Sequence, residues 1–168
     1  WSDASPPLAP PPRQGAAVTY DTLRQHTLLF GGYTTGGYLD DQWTFHDDRW
    51  WPEAPATRPD PRYDAAMTYD ATRDRSVLFG GVSYGTILAD TWEHDGTTWV
   101  EITPGASPEA RGMHSMAWDA SRGVAVLFGG LRDGGGYFGD TWEYDGTSWV
   151  ETTPSVSPDE RLGAALVY

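Results

Sequence analysis

A repeat of 49 or 50 residues runs through the sequence and constrains the fold more than any other feature. The phrase VLFGG occurs at 77–81 and 126–130, and its variant LLFGG occurs at 28–32. Two tryptophans of each unit keep the same period, at Trp43, Trp92 and Trp142 and at Trp50, Trp99 and Trp149. Self-similarity at such a period indicates a repeat architecture in which each unit is one supersecondary structure.

Each unit predicts four short antiparallel strands. In the third unit these are HSMAW at 114–118, VAVLFGG at 124–130, TWEY at 141–144 and TSWVE at 147–151. The two glycines are expected to end the second strand, and Asp145-Gly146 predicts a type I′ hairpin turn. Tandem four-stranded units are typical of β-propeller blades. The predicted fold class is therefore all-β, a partial β-propeller of about three four-stranded antiparallel blades with single flanking strands.

The units resemble the kelch repeat in its bacterial-type form. The glycine pair closes the second strand, an aromatic residue and then a tryptophan follow, and an arginine precedes the first strand, as in PRYDAAMTYD at 61–70. The resemblance covers essentially the whole chain and implies kelch-type propeller blades. Only the third unit keeps a histidine three residues after its arginine, as Arg111 and His114. The equivalent residues elsewhere are Ala16, Ala65 and Ala164.

The period also predicts the blade boundaries. Three blades are expected at 13–61, 62–110 and 111–160, between the fourth strand of a preceding blade with a linker (1–12) and the first strand of a following blade (161–168). Closed propellers typically have about four to eight blades, so three are expected not to close alone. The chain is therefore interpreted as a fragment of a longer protein. Assembly with further blades, or of two copies into one ring, is the expected way to close the circle.

The units act as controls for one another. A residue present in every unit is expected to build the blade, so the tryptophans are predicted to pack between blades, with sugar-stacking platforms as the alternative role. The connections from second to third strand, predicted as long loops at 33–40, 82–89 and 131–139, share one edge with those from fourth to first strand, and both vary between units. Variable loops on a rigid scaffold commonly carry binding sites. Ligand-binding candidates on this loop face are Tyr33, Tyr38, Tyr63, Asp64, Tyr84, Arg132, Asp133 and Tyr137.

The mouth of the central channel is the second candidate region. One arginine per unit is expected to ring it, at Arg13, Arg62, Arg111 and Arg161. The kelch resemblance implies that such arginines can contact acidic peptides. Pairing with acidic loop residues, which would brace adjacent blades, is favoured because every unit has the arginine. His114 is the one histidine expected near the channel, where packing or hydrogen bonding is its commoner role.

Charge and residue types narrow the chemistry. The net charge of −13 argues against nucleic acid and anionic membrane surfaces as partners. No apolar run reaches the roughly 18 residues of a membrane span, so no membrane insertion is expected. The sequence has no cysteine, and no pair of histidines has the spacing of a zinc site. No cofactor and no metal are therefore predicted.

Three classes of function remain open. The favoured one is a non-enzymatic binding or scaffold module that recognises a protein segment or a glycan on the loop face. The first alternative is part of a kelch-type sugar-processing enzyme, which would need histidine, glutamate and tyrosine side chains to converge on the central channel. The second alternative is a structural repeat of a surface or filament protein, which an open edge strand pairing with a neighbouring chain would support.

Overall fold

The computed structural model describes residues 8–168, which form three antiparallel sheets with their strands in chain order. The first sheet contains β1 (Ala17–Asp21), β2 (His26–Thr34), β3 (Gly37–His46) and β4 (Arg49–Glu53). The second contains β5 (Ala66–Asp70), β6 (Arg75–Ser83), β7 (Thr86–His94) and β8 (Trp99–Ile102). The third contains the two-residue β9 (Arg111–Gly112), then β10 (Ser115–Asp119), β11 (Val124–Arg132), β12 (Tyr137–Tyr144) and β13 (Trp149–Thr152). The predicted all-β partial propeller is confirmed.

The second and third strands of each blade are longer than the sequence pattern indicates. The first glycine of each pair has a positive φ, 67° at Gly31, 60° at Gly80 and 69° at Gly129, and the strand register shifts there. This is a β-bulge, after which the strand continues. The long loops predicted at 33–40 and 82–89 are therefore wrong, because these segments pair into hairpins. A bulge glycine and a strand-ending glycine look alike in sequence.

The type I′ turn predicted at Asp145-Gly146 is also wrong. Only the glycine has a positive φ, and the loop has four residues because Tyr144 pairs with Trp149. The Asp145 carboxylate accepts hydrogen bonds from the backbone N–H groups two and three residues ahead, so a side chain closes the loop. In the first blade, which lacks the Asp-Gly pair, both residues of the two-residue turn 47–48 have positive φ.

Apolar cores lie between neighbouring blades. Trp99 of the second blade packs on Phe30 of the first, with ring centroids 5.4 Å apart, and its indole N–H donates to Gln42 at 2.6 Å. Trp149 of the third blade packs in the same way on Phe79 of the second, at 5.3 Å. Both tryptophans are 1% exposed. As predicted, the second tryptophan of these units packs between blades.

The segments predicted as flanking strands behave differently from the blades. Within the described residues, 8–12 and 161–168 contain no strand, and residues 1–7 lie outside that part of the chain. In every blade the first of the four blade strands pairs with the second strand of the same sheet. The backbone N–H of Arg161 still donates to the carbonyl of Phe138 at 3.0 Å, so the segment contacts the third blade.

Residues 8–168 contain no helix that is long and apolar enough to cross a membrane.

Candidate functional site

Each blade holds one buried arginine against an aspartate. Arg62 is 2% exposed and donates to both carboxylate oxygens of Asp90, at 2.7 and 2.8 Å, and to the carbonyl of Gly80 at 2.9 Å. The indole N–H of Trp92 donates to the same carboxylate at 2.7 Å. The other two blades repeat the arrangement with Arg13, Asp41 and Trp43 and with Arg111, Asp140 and Trp142.

The backbone of this arginine, rather than its side chain, connects the blades. The carbonyl of Arg62 accepts from the N–H of Gly32 at 2.7 Å, and its N–H donates to the carbonyl of Leu39 at 3.0 Å. A Cβ on Gly31 would lie 2.6 Å from the Arg62 carbonyl oxygen, so this position has no room for a side chain. The aspartate that holds each guanidinium lies in the same blade, so these three side chains are occupied within their own sheets.

Four of the candidate tyrosines meet where the first and second blades join. The rings of Tyr33 and Tyr38 have centroids 5.2 Å apart, and the Tyr63 ring lies 5.6 Å from each of them. Tyr84 packs on Tyr38 at 4.7 Å. We call Tyr33, Tyr38, Tyr63 and Tyr84 the tyrosine cluster.

Strands of both blades position the tyrosine cluster. Tyr33 and Tyr38 are directly opposite each other on β2 and β3, beyond the bulge. Tyr63 forms a backbone bridge with Val82, at the end of β6, and Tyr84 lies in the β6–β7 turn with a φ of 46°. Because blades pack side by side, Tyr63, which lies shortly before β5, reaches the β2–β3 hairpin of the preceding blade. The sequence indicated the tyrosines but not their contact across two units.

The tyrosine cluster is partly open to solvent. Tyr84 is 72% exposed and Tyr33 is 36% exposed. Burial, together with the nearby Asp64 carboxylate, raises the pKa of the Tyr63 phenol above its usual value of 10.0. The tyrosine hydroxyls that make hydrogen bonds within residues 8–168 belong to Tyr69 and Tyr144, which lie outside the cluster. The phenol groups of the cluster are thus available to a ligand.

Candidates in the third blade make contacts close to themselves. Arg132 donates to the carbonyl of Tyr137 at 2.6 Å, and its guanidinium lies 4.5 Å from the centroid of the Phe138 ring. The Asp133 carboxylate accepts from the next backbone N–H at 3.0 Å. Arg161 is exposed and donates to a carbonyl two residues before it, at 2.8 Å. These side chains are solvent-facing and lie in a different blade from the tyrosine cluster.

Asp64 and His114 line a second site, a cavity of about 380 Å³ where the innermost strands begin. We call it the channel cavity. Equivalent residues of successive units line it, namely Gly15, Asp64, Met113 and Gly163, together with Ala16, Ala65, His114 and Leu162.

The four equivalent residues link the blades around the channel cavity. All have a left-handed backbone, with φ of 62° at Gly15, 56° at Asp64, 56° at Met113 and 62° at Gly163. The N–H groups of Asp64, Met113 and Gly163 each donate to the carbonyl of the counterpart in the preceding unit, at 2.7, 2.9 and 2.8 Å. The hydrogen bonds use backbone atoms alone, so the side chain at this position is free to vary.

His114 lines the channel cavity, and its ring packs there like an apolar side chain. It is 7% exposed, and its ring packs edge-on against Phe79 with centroids 5.5 Å apart. Both ring nitrogens are shielded from solvent and have no hydrogen-bond partner within the described residues. Burial, and then the charge of Arg111, lowers the pKa of His114 to about 3, so the ring is neutral at pH 7. In residues 8–168 no three His, Asp or Glu side chains group to hold a metal ion.

Three tandem blades that repeat their interior and vary at one edge define a kelch-like propeller domain. The sequence model of the KLHDC2/KLHL20/DRC7 Kelch-repeats domain matches residues 1–149 of the 168. The chain therefore belongs to the kelch-repeat family. A comparison with curated proteins found no match. Kelch-repeat domains generally serve as propeller modules for protein interaction, and this is the class to which the chain belongs.

Proposed function

We propose that this kelch domain is a non-enzymatic module that binds an extended segment of another protein through the tyrosine cluster. The observation that carries the proposal is the convergence of four tyrosines from two blades on one partly exposed surface. Tyrosine offers a large contact area, a hydroxyl for hydrogen bonding and little side-chain entropy to lose, which makes it prominent in recognition surfaces.

The scaffold holds this surface ready for a ligand. Tyr33 and Tyr38 lie on paired strands, and the backbone of Tyr63 is bonded in both directions to Val82 at 3.1 and 2.8 Å. A preorganised aromatic surface loses less entropy on binding than a mobile loop does. Aromatic surfaces of this kind suit extended segments, including proline-rich ones that are already extended before binding. In this proposal the exposed Arg132, Asp133 and Tyr137 extend the loop face into the third blade.

Charge favours a segment with basic rather than acidic residues. The chain carries a net charge of −13, which repels an acidic ligand. The guanidinium groups of Arg13, Arg62 and Arg111 are engaged by aspartates, so an acidic segment would have to displace those carboxylates. A basic segment meets neither obstacle.

A glycan is the second candidate ligand. The exposed ring of Tyr84 and the phenol groups of the cluster could stack on a sugar ring and hydrogen-bond its hydroxyls. Screening the domain against a peptide display library and a glycan array separates the two. Selection of related basic, aromatic- or proline-containing peptides supports the proposal. Binding to glycans alone would identify a glycan, and not a protein segment, as the ligand.

Substitutions then test the site on a selected peptide. Tyr38→Ile installs the residue of the equivalent position, Ile87, and Tyr84→Asn keeps a residue that accepts the left-handed backbone at this turn, so the blade should tolerate both. Each is expected to raise the Kd, measured by fluorescence polarisation, by about tenfold or more, as for aromatic residues central to an interface. The matched control is Tyr20→Thr, an exposed tyrosine on β1 at the opposite edge, which should leave the Kd unchanged. An unchanged Kd in the folded Tyr38→Ile/Tyr84→Asn double variant would refute the proposal.

A further inference from the structure

The channel cavity differs from the rest of the blade interior in carrying side chains that the fold does not use. At the repeated left-handed position, Gly15 and Gly163 take the conformation without strain, Asp64 takes it at a small cost, and Met113 takes it against the preference of residues with a Cβ. Three equivalent backbone hydrogen bonds link the four residues in succession, whatever side chain each one carries. Neither side chain is therefore needed to join the blades.

Asp64 is also placed unfavourably for an isolated carboxylate. Its Oδ1 lies only 2.5 Å from where a Cβ on Gly15 would be, so the carboxylate lies closely over that glycine. Burial raises the pKa of Asp64 above 3.8, and no hydrogen bond or neighbouring cation within residues 8–168 opposes that effect. A partly desolvated carboxylate without a partner is a cost to the fold unless a ligand uses it.

The remaining walls of the channel cavity are apolar or uncharged. Met113 and Leu162 are partly exposed on its rim, Ala16 and Ala65 line it, and His114 is neutral at pH 7. No lysine or arginine belongs to the lining. The volume of about 380 Å³ lies within the range of ligand pockets, roughly 300–1,000 Å³. One carboxylate in an otherwise uncharged lining complements an alkyl chain that ends in a cation.

We propose that the channel cavity receives a basic side chain, arginine or lysine, with Asp64 contacting the cationic head and Met113 packing on the alkyl stem. This inference rests on the proposed function, because the basic residue would belong to the protein segment bound at the tyrosine cluster. Tyr63 and Asp64 are adjacent in sequence, so one ligand can contact both sites. The unpaired carboxylate then gains its hydrogen bonds and counter-charge from the ligand.

Capped single residues test the cavity without the rest of a ligand. N-acetyl-arginine amide and N-acetyl-lysine amide are titrated into the 15N-labelled domain, and the backbone amide shifts of Met113 and Gly163 are followed by NMR. N-acetyl-citrulline amide is the control, since it has nearly the shape of the arginine probe without its charge. We expect saturable shifts with both cationic probes and none with citrulline. Equal binding of citrulline would overturn the inference.

Two substitutions separate recognition from a structural role. Asp64→Asn keeps a residue that accepts the left-handed backbone but removes the charge, and it should weaken binding of the cationic probes by about tenfold or more. Asp64→Gly should abolish binding while leaving the Tm equal or higher, because it relieves strain and removes a desolvated carboxylate. A clear fall of the Tm in Asp64→Gly would show a structural role and refute the inference.

The same probes distinguish failure here from failure of the proposed function. Tyr38→Ile and Tyr84→Asn should not change binding of the capped arginine, because these tyrosines do not line the channel cavity. Loss of peptide binding in the tyrosine variants, with no binding of cationic probes to the unaltered domain, would refute the cavity alone. Saturable probe binding that Asp64→Asn weakens, with peptide affinity unchanged in the tyrosine variants, would support the cavity and refute the tyrosine cluster.

Discussion

The two junctions between blades have the same interior and different exposed edges. Trp99 and Trp149 fill equivalent cores, each donating its indole N–H to a buried oxygen of the preceding blade. At the loop edge, the first junction carries the tyrosine cluster, whereas Val82 and Ile87 of the second blade occupy the positions of two of those tyrosines. Repetition therefore marks what stacking of blades requires, and departure from it marks surface that stacking leaves free.

The edge opposite the loop face shows the same contrast on a smaller scale. At the first junction Arg24 reaches into the second blade and pairs with Asp74 at 2.5 and 2.9 Å. Its counterpart Arg73 pairs with Glu93 of its own blade at 2.7 Å, and the hydroxyl of Tyr144 in the third blade donates to that glutamate at 3.0 Å. Both arginines are partly exposed, so water and salt limit what these pairs contribute.

The strongest test of the shared interior compares Trp99→Ala with Trp149→Ala. Each substitution removes a buried ring and leaves a cavity between blades, so each should lower the free energy of unfolding by about 3–5 kcal/mol. Urea unfolding followed by far-UV circular dichroism measures the loss. Trp51→Ala, at an exposed tryptophan on β4, is the control and should lower it by about 1 kcal/mol or less. Costs that differ widely between Trp99 and Trp149 would contradict the equivalence of the junctions.

A somewhat smaller effect is expected for the buried arginines. Arg62→Leu and Arg111→Leu each leave an aspartate without its partner, and should lower the free energy of unfolding by about 2–4 kcal/mol, since Asp90 and Asp140 retain some contact with water. The same urea titration compares them with Arg161→Leu, whose guanidinium is exposed. That control should change stability by about 0.5 kcal/mol or less. Losses as small as that of Arg161→Leu would argue that the arginine–aspartate pairs do not stabilise their own blades.

Lowering the pH tests the comparison of the two junctions, because each junction contains one buried histidine. Burial lowers the pKa of His94, at the first junction, to about 4 and that of His114, at the second, to about 3, from 6.5. The unfolded chain therefore binds protons first as the pH falls. The contribution of the two histidines to the free energy of unfolding should be greatest above pH ~6.5. It should decline towards pH ~4, by up to about 1.4 kcal/mol per pH unit for each histidine.

Urea titrations between pH 7 and pH 4 measure this decline. His114→Ala installs the alanine of the other units, Ala16, Ala65 and Ala164. It should reduce the slope of the unfolding free energy against pH by the contribution of one titrating histidine. The contribution of His94, at the first junction, to the pH dependence of stability would remain. Stability that stays constant from pH 7 to pH 5, or a slope that His114→Ala leaves unaltered, would contradict the assignment.

Local sequence patterns predicted much of the blade. The tandem four-stranded unit and the interblade packing of Trp99 and Trp149 are confirmed. The second strand was predicted too short and the Asp-Gly turn was of the wrong type. Those errors arise because φ at a bulge or turn depends on strand pairing as well as on residue type.

The sequence by itself determined the class of fold and the surface on which a ligand site was sought. It did so because a blade must bury its faces against its neighbours, which imposes the same residues on every unit. Only the tertiary structure decided that four tyrosines form one surface, that the arginines are held by aspartates, and that Asp64 belongs to the channel cavity. These depend on distances between residues of different strands and units, which side-by-side packing of the blades sets and spacing along the chain does not.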